Sequence, residues 1–224
     1  MKITYLFQSG IAIEFVDFVI FIDIITPPTI APAGRRTYIL ASHAHQDHYA
    51  KALLTSRIFQ QATFILSDDI DDLFEAEHIL SVSEGNEYEL ADFKLKTFGS
   101  TDRGVSFYIR TAETTFFHSG DLNWWHWENS DQESQLQEEK DYKMHLEQLK
   151  DWPVDIAFVP ADPRLGYAYD YAVKYFIETI APKVLIPMHF WDDFLTSERL
   201  KKELHPAKTE ICLVPNRNTL IYQA

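Results

Sequence analysis

The sequence predicts an α+β fold in which β-sheets are covered by helices in layers. Two observations carry this expectation. Short β-branched and aromatic runs crowd the first half of the chain, and strand-like runs alternate with helix-like ones in the second. No clear internal repeat, long linker or low-complexity segment interrupts the 224 residues, so a single domain over 1–224 is expected.

Residues 11–15 and 18–24 read as strands, with Asp17 at the turn between them. Pro27, Pro28, Pro32 and Gly34 make 25–36 a loop, because proline removes a ladder donor and glycine admits unusual dihedrals. Residues 37–41 read as a buried strand running straight into Ser42 to His48, with a helix expected over 49–56. Another strand follows at 63–66, with Ser67 or Asp68 as the cap of a further helix. Residues 88–98 and 104–110 read as strands, the latter turning through 111–113 onto 114–117. The strongest helix is 132–150, with Leu136, Tyr142, Leu146 and Leu149 at roughly helical spacing and Trp152-Pro153 ending it. Strands at 155–159, 184–187 and 211–213 then alternate with helices at 171–180 and 197–204.

Composition narrows the function. With 46% hydrophobic side chains the chain can bury a substantial core. A formal charge of -14 repels phosphate backbones, so no nucleic-acid partner is expected. Part of that charge lies in 128–141, a pattern that suits a solvated helix face. The single cysteine, Cys212, cannot form an internal disulfide and sits in an apolar run, where it reads as a packed small hydrophobe. The first residues hold no apolar stretch suited to a signal peptide, and no segment approaches the length of a membrane span. A cytoplasmic protein with no membrane partner is the expectation.

The informative feature is His43-Ala44-His45-Gln46-Asp47-His48. Imidazole and carboxylate are the usual ligands of zinc and related divalent ions. In extended chain, residues two apart point the same way, so His43 and His45 can reach one metal. Asp47 and His48 follow where the chain turns, and can reach a second. A solvated polar loop is the bland alternative, but three of the nine histidines fall within six positions.

This His-x-His-x-Asp-His run resembles the signature of the metallo-β-lactamase fold superfamily of metallohydrolases. Later segments agree in order. Asp23, after 18–22, resembles the aspartate that supports the histidine loop. Ser119-Gly120-Asp121 resembles the segment whose aspartate bridges two metals, and Met188-His189 resembles the final ligand histidine at a strand end. The resemblance spans nearly the whole chain. It implies a four-layer αββα sandwich with metals in a cleft along one edge of the two sheets. It also implies a division of ligands: His43, His45 and Asp121 for one ion, and Asp47, His48, His189 and the shared Asp121 for the other.

One departure from the family's pattern stands out. The third histidine of the first site belongs near Phe98 to Gly104, where this sequence has none. Asp102 or a water fills the gap, or His126 reaches in from Trp124-Trp125-His126-Trp127, or the first site is weak or empty. The second set is complete, so a single-metal enzyme is also consistent. An oxygen-richer shell favours harder ions. One or two divalent ions are therefore expected, zinc first, with manganese or iron as alternatives.

Other residues carry open readings. His118 is structural or supports a ligand. His126 belongs to an aromatic cluster or to a pocket wall. Arg164 binds an anionic group of the substrate or closes a salt bridge. His78, His145 and His205 read as surface residues.

The function expected is hydrolysis of a small-molecule ester, lactone, amide or phosphoester by metal-activated water, with Asp47 taking or relaying the proton. An iron-dependent redox member of the same fold is the first rival. A metal-poor, non-catalytic interaction domain is the second, with the missing histidine as its support.

Overall fold

The computed structural model describes residues 1–71 and 78–224. Fourteen strands among these form two seven-stranded sheets. The first sheet holds β1 (Lys2–Phe7), β2 (Gly10–Glu14), β3 (Phe18–Ile22), β4 (Arg36–Ala41), β5 (Thr63–Ser67), β6 (Ile79–Val82) and, from the far end of the sequence, β14 (Thr219–Gln223). The second holds β7 (Glu87–Glu89), β8 (Lys94–Phe98), β9 (Ser106–Arg110), β10 (Thr115–His118), β11 (Ile156–Pro160), β12 (Val184–Met188) and β13 (Glu210–Ile211). Three α-helices accompany them: α1 (Gln132–Leu149), α2 (Tyr171–Ile180) and α3 (Leu195–Glu203).

Both sheets follow one plan. From β14 to β3 the first sheet pairs antiparallel, and from β3 to β6 parallel. From β7 to β10 the second pairs antiparallel, and from β10 to β13 parallel. The repeat lies in topology rather than in residue identities.

The apolar runs are continuous where a strand is covered on both faces. In β3, Ile20 and Ile22 enter the core between the sheets, where they join Phe107, Phe116 and Ile186. Val19 and Phe21 point the other way, under Leu53 and Phe59 of two short 3-10 helices. On the outer face of the second sheet, Phe117, Val159 and Leu185 pack against Tyr142 and Leu146 of α1, Phe176 of α2 and Leu200 of α3. Two mixed sheets flanked by helices make the expected α+β sandwich.

Local differences have local causes. Helix α1 begins where Asp131 accepts from the Ser134 amide at 2.8 Å. Leu136 is 58% exposed, because six residues of helix turn it far from the face of Tyr142. The helix expected over 49–56 is instead the five-residue 3-10 turn Lys51–Thr55. Ala50 offers no side-chain cap and Ser56 is extended, so too few turns form to propagate an α-helix. The strand expected over 88–98 is a hairpin of β7 and β8, closed where the Leu90 amide donates to the Phe93 carbonyl at 2.9 Å. The helix expected after Ser67 or Asp68 falls on 72–77, outside the described residues. Strands β1, β6 and β14 had no separate sequence expectation; β1 and β14 lie at the two ends of the chain and pair with each other.

Cys212 is buried, and burial pushes its thiol up to about 11. It is a packed side chain, as the sequence suggests. No helix among the described residues is long and apolar enough to cross a membrane.

Candidate metal centre

Five strand ends, the β1–β2 turn and the β8–β9 loop that carries Asp102 supply the site. Behind β4 come His43, His45, Asp47 and His48; behind β3, Asp23; behind β10, Asp121; behind β11, Asp162; behind β12, His189. The carboxyl ends of parallel strands leave backbone that no longer has to serve a ladder, so side chains there can be aimed. Several of these residues sit at positive φ: Gln8 at 58°, Asp23 at 50° and His189 at 66°. Such conformations cost free energy and persist where surrounding contacts fix them.

Asp23 builds the histidine loop. Its buried carboxylate accepts from the Ser42 amide and the Ser42 hydroxyl, both at 2.7 Å, and from His48 Nδ1 at 2.8 Å. Burial alone would raise this carboxyl, but the charge and hydrogen bond of His48 hold it below its usual value. With Nδ1–H committed to Asp23, His48 turns Nε2 toward the cleft. Asp162 does the same for His189, accepting from its Nδ1 at 3.0 Å.

Opposite these two imidazoles lies Asp121. Its Oδ1 is 3.1 Å from His48 Nε2 and 3.2 Å from His189 Nε2, and its Oδ2 is 3.6 Å from His43 Nε2. Asp47 Oδ2 stands 3.7 Å from both His48 Nε2 and His189 Nε2. His48 Nε2, His189 Nε2 and Asp121 Oδ1 are all buried without a hydrogen-bond partner. Buried polar atoms are rarely left so, and two imidazole nitrogens and a carboxylate oxygen converging on one point are the donor set of a divalent cation. The residues fit a metal.

Two groups offer ligand atoms within 4.8 Å of one another: a first of His43, His45, Asp102 and Asp121, and a second of Asp47, His48 and His189. All six residues that the sequence singled out as ligands are therefore brought together. Of the side chains considered for the place of the missing histidine, Asp102 stands beside His45, its Oδ2 3.4 Å from His45 Nδ1. His126 is elsewhere, with Nε2 3.0 Å from the Tyr167 hydroxyl and its ring against Tyr171. His43, His48 and His189 are buried, whereas the side chains of His45 and Asp102 are 40% and 38% exposed, so the open edge of the site is at His45 and Asp102.

A cavity of about 380 Å³ opens over the site, walled by Trp125, Trp127, Thr101, Glu138 and Arg164 beside the ligand residues. Gln8 and Asp162 have no role assigned from the sequence, and Glu138, in the 128–141 run read as a solvated face, lines the cavity. Gln8 is buried; its side chain donates to Asp47 Oδ2 at 3.3 Å and accepts from the Trp191 amide at 2.9 Å. No local pattern marks it, since its partners are 39 and 183 residues away. His118 is structural: Gly120 donates to its Nδ1 at 3.1 Å, so Nε2–H donates to the Ser9 carbonyl at 2.9 Å. Of the histidines read as surface, His78 and His205 are exposed, while His145 is half-buried beside Gly99.

Proton release follows from the electrostatics. Burial lowers the His189 imidazole, but the negative charge of Asp121 beside it and the hydrogen bond to Asp162 more than offset it and hold the group at about 9. In the metal-free protein below that pH, His189 carries a proton that a cation must displace. Zinc affinity at the His189 site is therefore expected to rise with pH from 6 to 8, with at least one proton released when the ion held by His189 binds. Calorimetric titration in two buffers of different ionisation enthalpy counts those protons; a pH-independent affinity with none released would contradict it.

A model of the beta-lactamase superfamily domain matches residues 2–189. Among solved structures, the fold is similar to Igni18, a metallo hydrolase of the hyperthermophilic archaeon Ignicoccus hospitalis, with TM-score 0.65 and 17% identity over 100% of this chain and 99% of that one. It is similar to isothiocyanate hydrolase from Delia radicum gut bacteria, with TM-score 0.62 and 12% identity over 100% and 99%. It is also similar to CmlA, a diiron beta-hydroxylase from Streptomyces venezuelae, with TM-score 0.55 and 12% identity over 84% of this chain and 44% of that one. At these identities the likeness is one of fold. No curated protein matches the chain.

Proposed function

This chain belongs to the beta-lactamase superfamily, and from that premise we propose that it is a single-domain, metal-dependent hydrolase of a small-molecule ester, lactone or phosphoester. The observation that supports this reading most is the convergence of His48 Nε2, His189 Nε2 and Asp121 Oδ1, buried and unpartnered, at the floor of an open cleft. We assign Asp47, His48 and His189 to one divalent ion, His43, His45 and Asp102 to another, and Asp121 to both.

When bound, such an ion supplies Lewis acidity, bringing the pKa of water toward neutrality and polarising a substrate oxygen. The chain supplies the rest. Asp23 and Asp162 fix the ring orientation and tautomer of His48 and His189, as partners behind ligand histidines commonly do. Gln8 holds Asp47 through Oδ2, which leaves Oδ1 to take the proton of the attacking water. Trp125 and Trp127 form an apolar wall that limits water around the substrate.

A second reading draws on Asp102. A carboxylate in place of a histidine makes the first group richer in oxygen, which suits manganese or iron better than zinc and leaves room for redox chemistry. The two separate experimentally. Protein loaded with zinc, manganese or iron is assayed against 4-nitrophenyl esters, lactones and phosphoesters, and the as-purified spectrum is recorded. Hydrolysis with the zinc or manganese form and no visible absorption supports the hydrolase. Iron-derived absorption without hydrolysis of any of these substrates supports the redox reading.

A further inference from the structure

Resting on the hydrolase reading, we propose that the cleft selects substrates carrying an anionic oxygen group, a carboxylate or a phosphate, and that Arg164 anchors that group beside the reacting bond. Among the described residues, Arg164 is the only arginine or lysine lining the cleft, whose other charged walls include Asp47, Asp102, Asp121 and Glu138.

Arg164 is held in place. The buried Asp162 carboxylate accepts from Nε at 2.9 and 3.0 Å and also from Nη2. A guanidinium carries five N–H donors in a planar fork. One edge of the fork is committed to Asp162, while the two donors on Nη1 have no hydrogen-bond partner among the described residues. The side chain is 48% exposed and lines the cleft. An arginine serving only to neutralise Asp162 would gain nothing from lining the cavity. A guanidinium already ordered by one carboxylate loses little further freedom on meeting another, which favours binding.

The surroundings describe the rest of the ligand. The Arg164 guanidinium carbon lies 5.7 Å from the Trp127 ring centroid, and Trp127 stacks on Trp125 at 5.9 Å with 4° between the planes. Trp125 in turn meets the His189 ring edge-on at 5.7 Å. An apolar surface thus runs from the anchor to the ligand histidine, suited to the acyl or aryl body between an anionic group and a scissile bond. Asp162 Oδ2 accepts from both Arg164 and His189, so the anchor and the metal centre are one carboxylate apart.

The test compares two esters with one leaving group, 4-nitrophenyl acetate and mono-4-nitrophenyl succinate, on the metal-loaded wild type and on Arg164→Gln. Metal content is measured for both proteins. The variant is expected to lose roughly tenfold more kcat/KM on the succinate ester than on the acetate, mainly in KM, with its metal retained. Equal losses on the two esters would overturn the proposal and make Arg164 a positioning residue for Asp162 and His189. A binding readout stands beside this one: succinate and phenyl phosphate are titrated against the tryptophan fluorescence of the metal-loaded proteins. Roughly tenfold weaker binding of either anion to the variant supports the anchor, and the tighter of the two identifies the group. Identical binding of both anions to wild type and variant refutes it. If the wild type hydrolyses neither ester, the hydrolase reading loses its support while the fluorescence titration still decides the anion site.

Discussion

Asp121→Ala is expected to lose metal and activity together. Asp121 is the residue through which the two ligand groups meet: Oδ1 faces His48 and His189 at 3.1 and 3.2 Å, and Oδ2 faces His43 at 3.6 Å. It also counters their charge. Burial would raise its carboxyl, but His189 and His48 hold it well below the usual carboxylate range. Removing it leaves two buried imidazoles without the anion that balances them, and takes away the oxygen ligand that the proposed pair of ions would share. Partners behind metal ligands are worth roughly 10–100-fold in affinity or activity, so loss of a shared ligand should exceed about 100-fold. Elemental analysis of wild type and variant reads this directly. About two equivalents in the wild type, falling below one in the variant, supports the paired centre. One equivalent in the wild type supports a single ion on Asp47, His48, Asp121 and His189. A wild type that holds no metal and is not activated by added metal would remove the hydrolase reading and leave the interaction-domain alternative.

The second large effect concerns a glycine that touches no ligand atom itself. Gly104 has φ of 65°, and a Cβ there would lie 2.0 Å from the Ser42 carbonyl oxygen and 2.7 Å from His43 Cβ. The next residue, Val105, donates its amide to that same carbonyl at 2.9 Å. The loop carrying Asp102 is therefore docked on the loop carrying His43 by backbone contact, closer than any side chain allows. Left-handed backbone costs an alanine about 1–2 kcal/mol, and forcing atoms into filled space typically costs about 1–3 kcal/mol more. Gly104→Ala should therefore lower the melting temperature by roughly 10 °C, at about 2–4 °C per kcal/mol for a chain of this size. Gly34 is the control: its φ is 78° with nothing within 4 Å of a Cβ, so Gly34→Ala carries the conformational term alone. Equal melting temperatures for the two variants would show that the close approach to Ser42 does not matter. Because the clash pushes Asp102 away from His45, first-group metal affinity should fall in Gly104→Ala as well.

Much of the site was legible in the chain because its parts are close in sequence. His43, His45, Asp47 and His48 lie within six positions behind a strand, and β4 aims them together. Strands β2, β3, β4, β5, β9, β10, β11 and β12 could be read from apolar runs, as could α1 and α2, because burial of a face imposes a period on the residues themselves. The hairpin of β7 and β8 was not, since the turn at Ala91-Asp92 contains neither glycine nor proline. The short 3-10 turn at Lys51–Thr55 was not, since its helical composition lacks caps to sustain a longer helix.

The sequence by itself determined which candidate ligand side chains the chain offers, the ends of strands on which they sit, and the layered order of sheets and helices. Tertiary structure alone decided that Asp102 rather than His126 stands beside His45, that Asp162 orients His189 while pinning Arg164, and that Gln8 holds Asp47. The reason is physical. Spacing within one strand or loop fixes where a side chain points relative to its neighbours. Which side chain waits opposite is fixed by how the two sheets pack, and that depends on the whole core at once rather than on any local run.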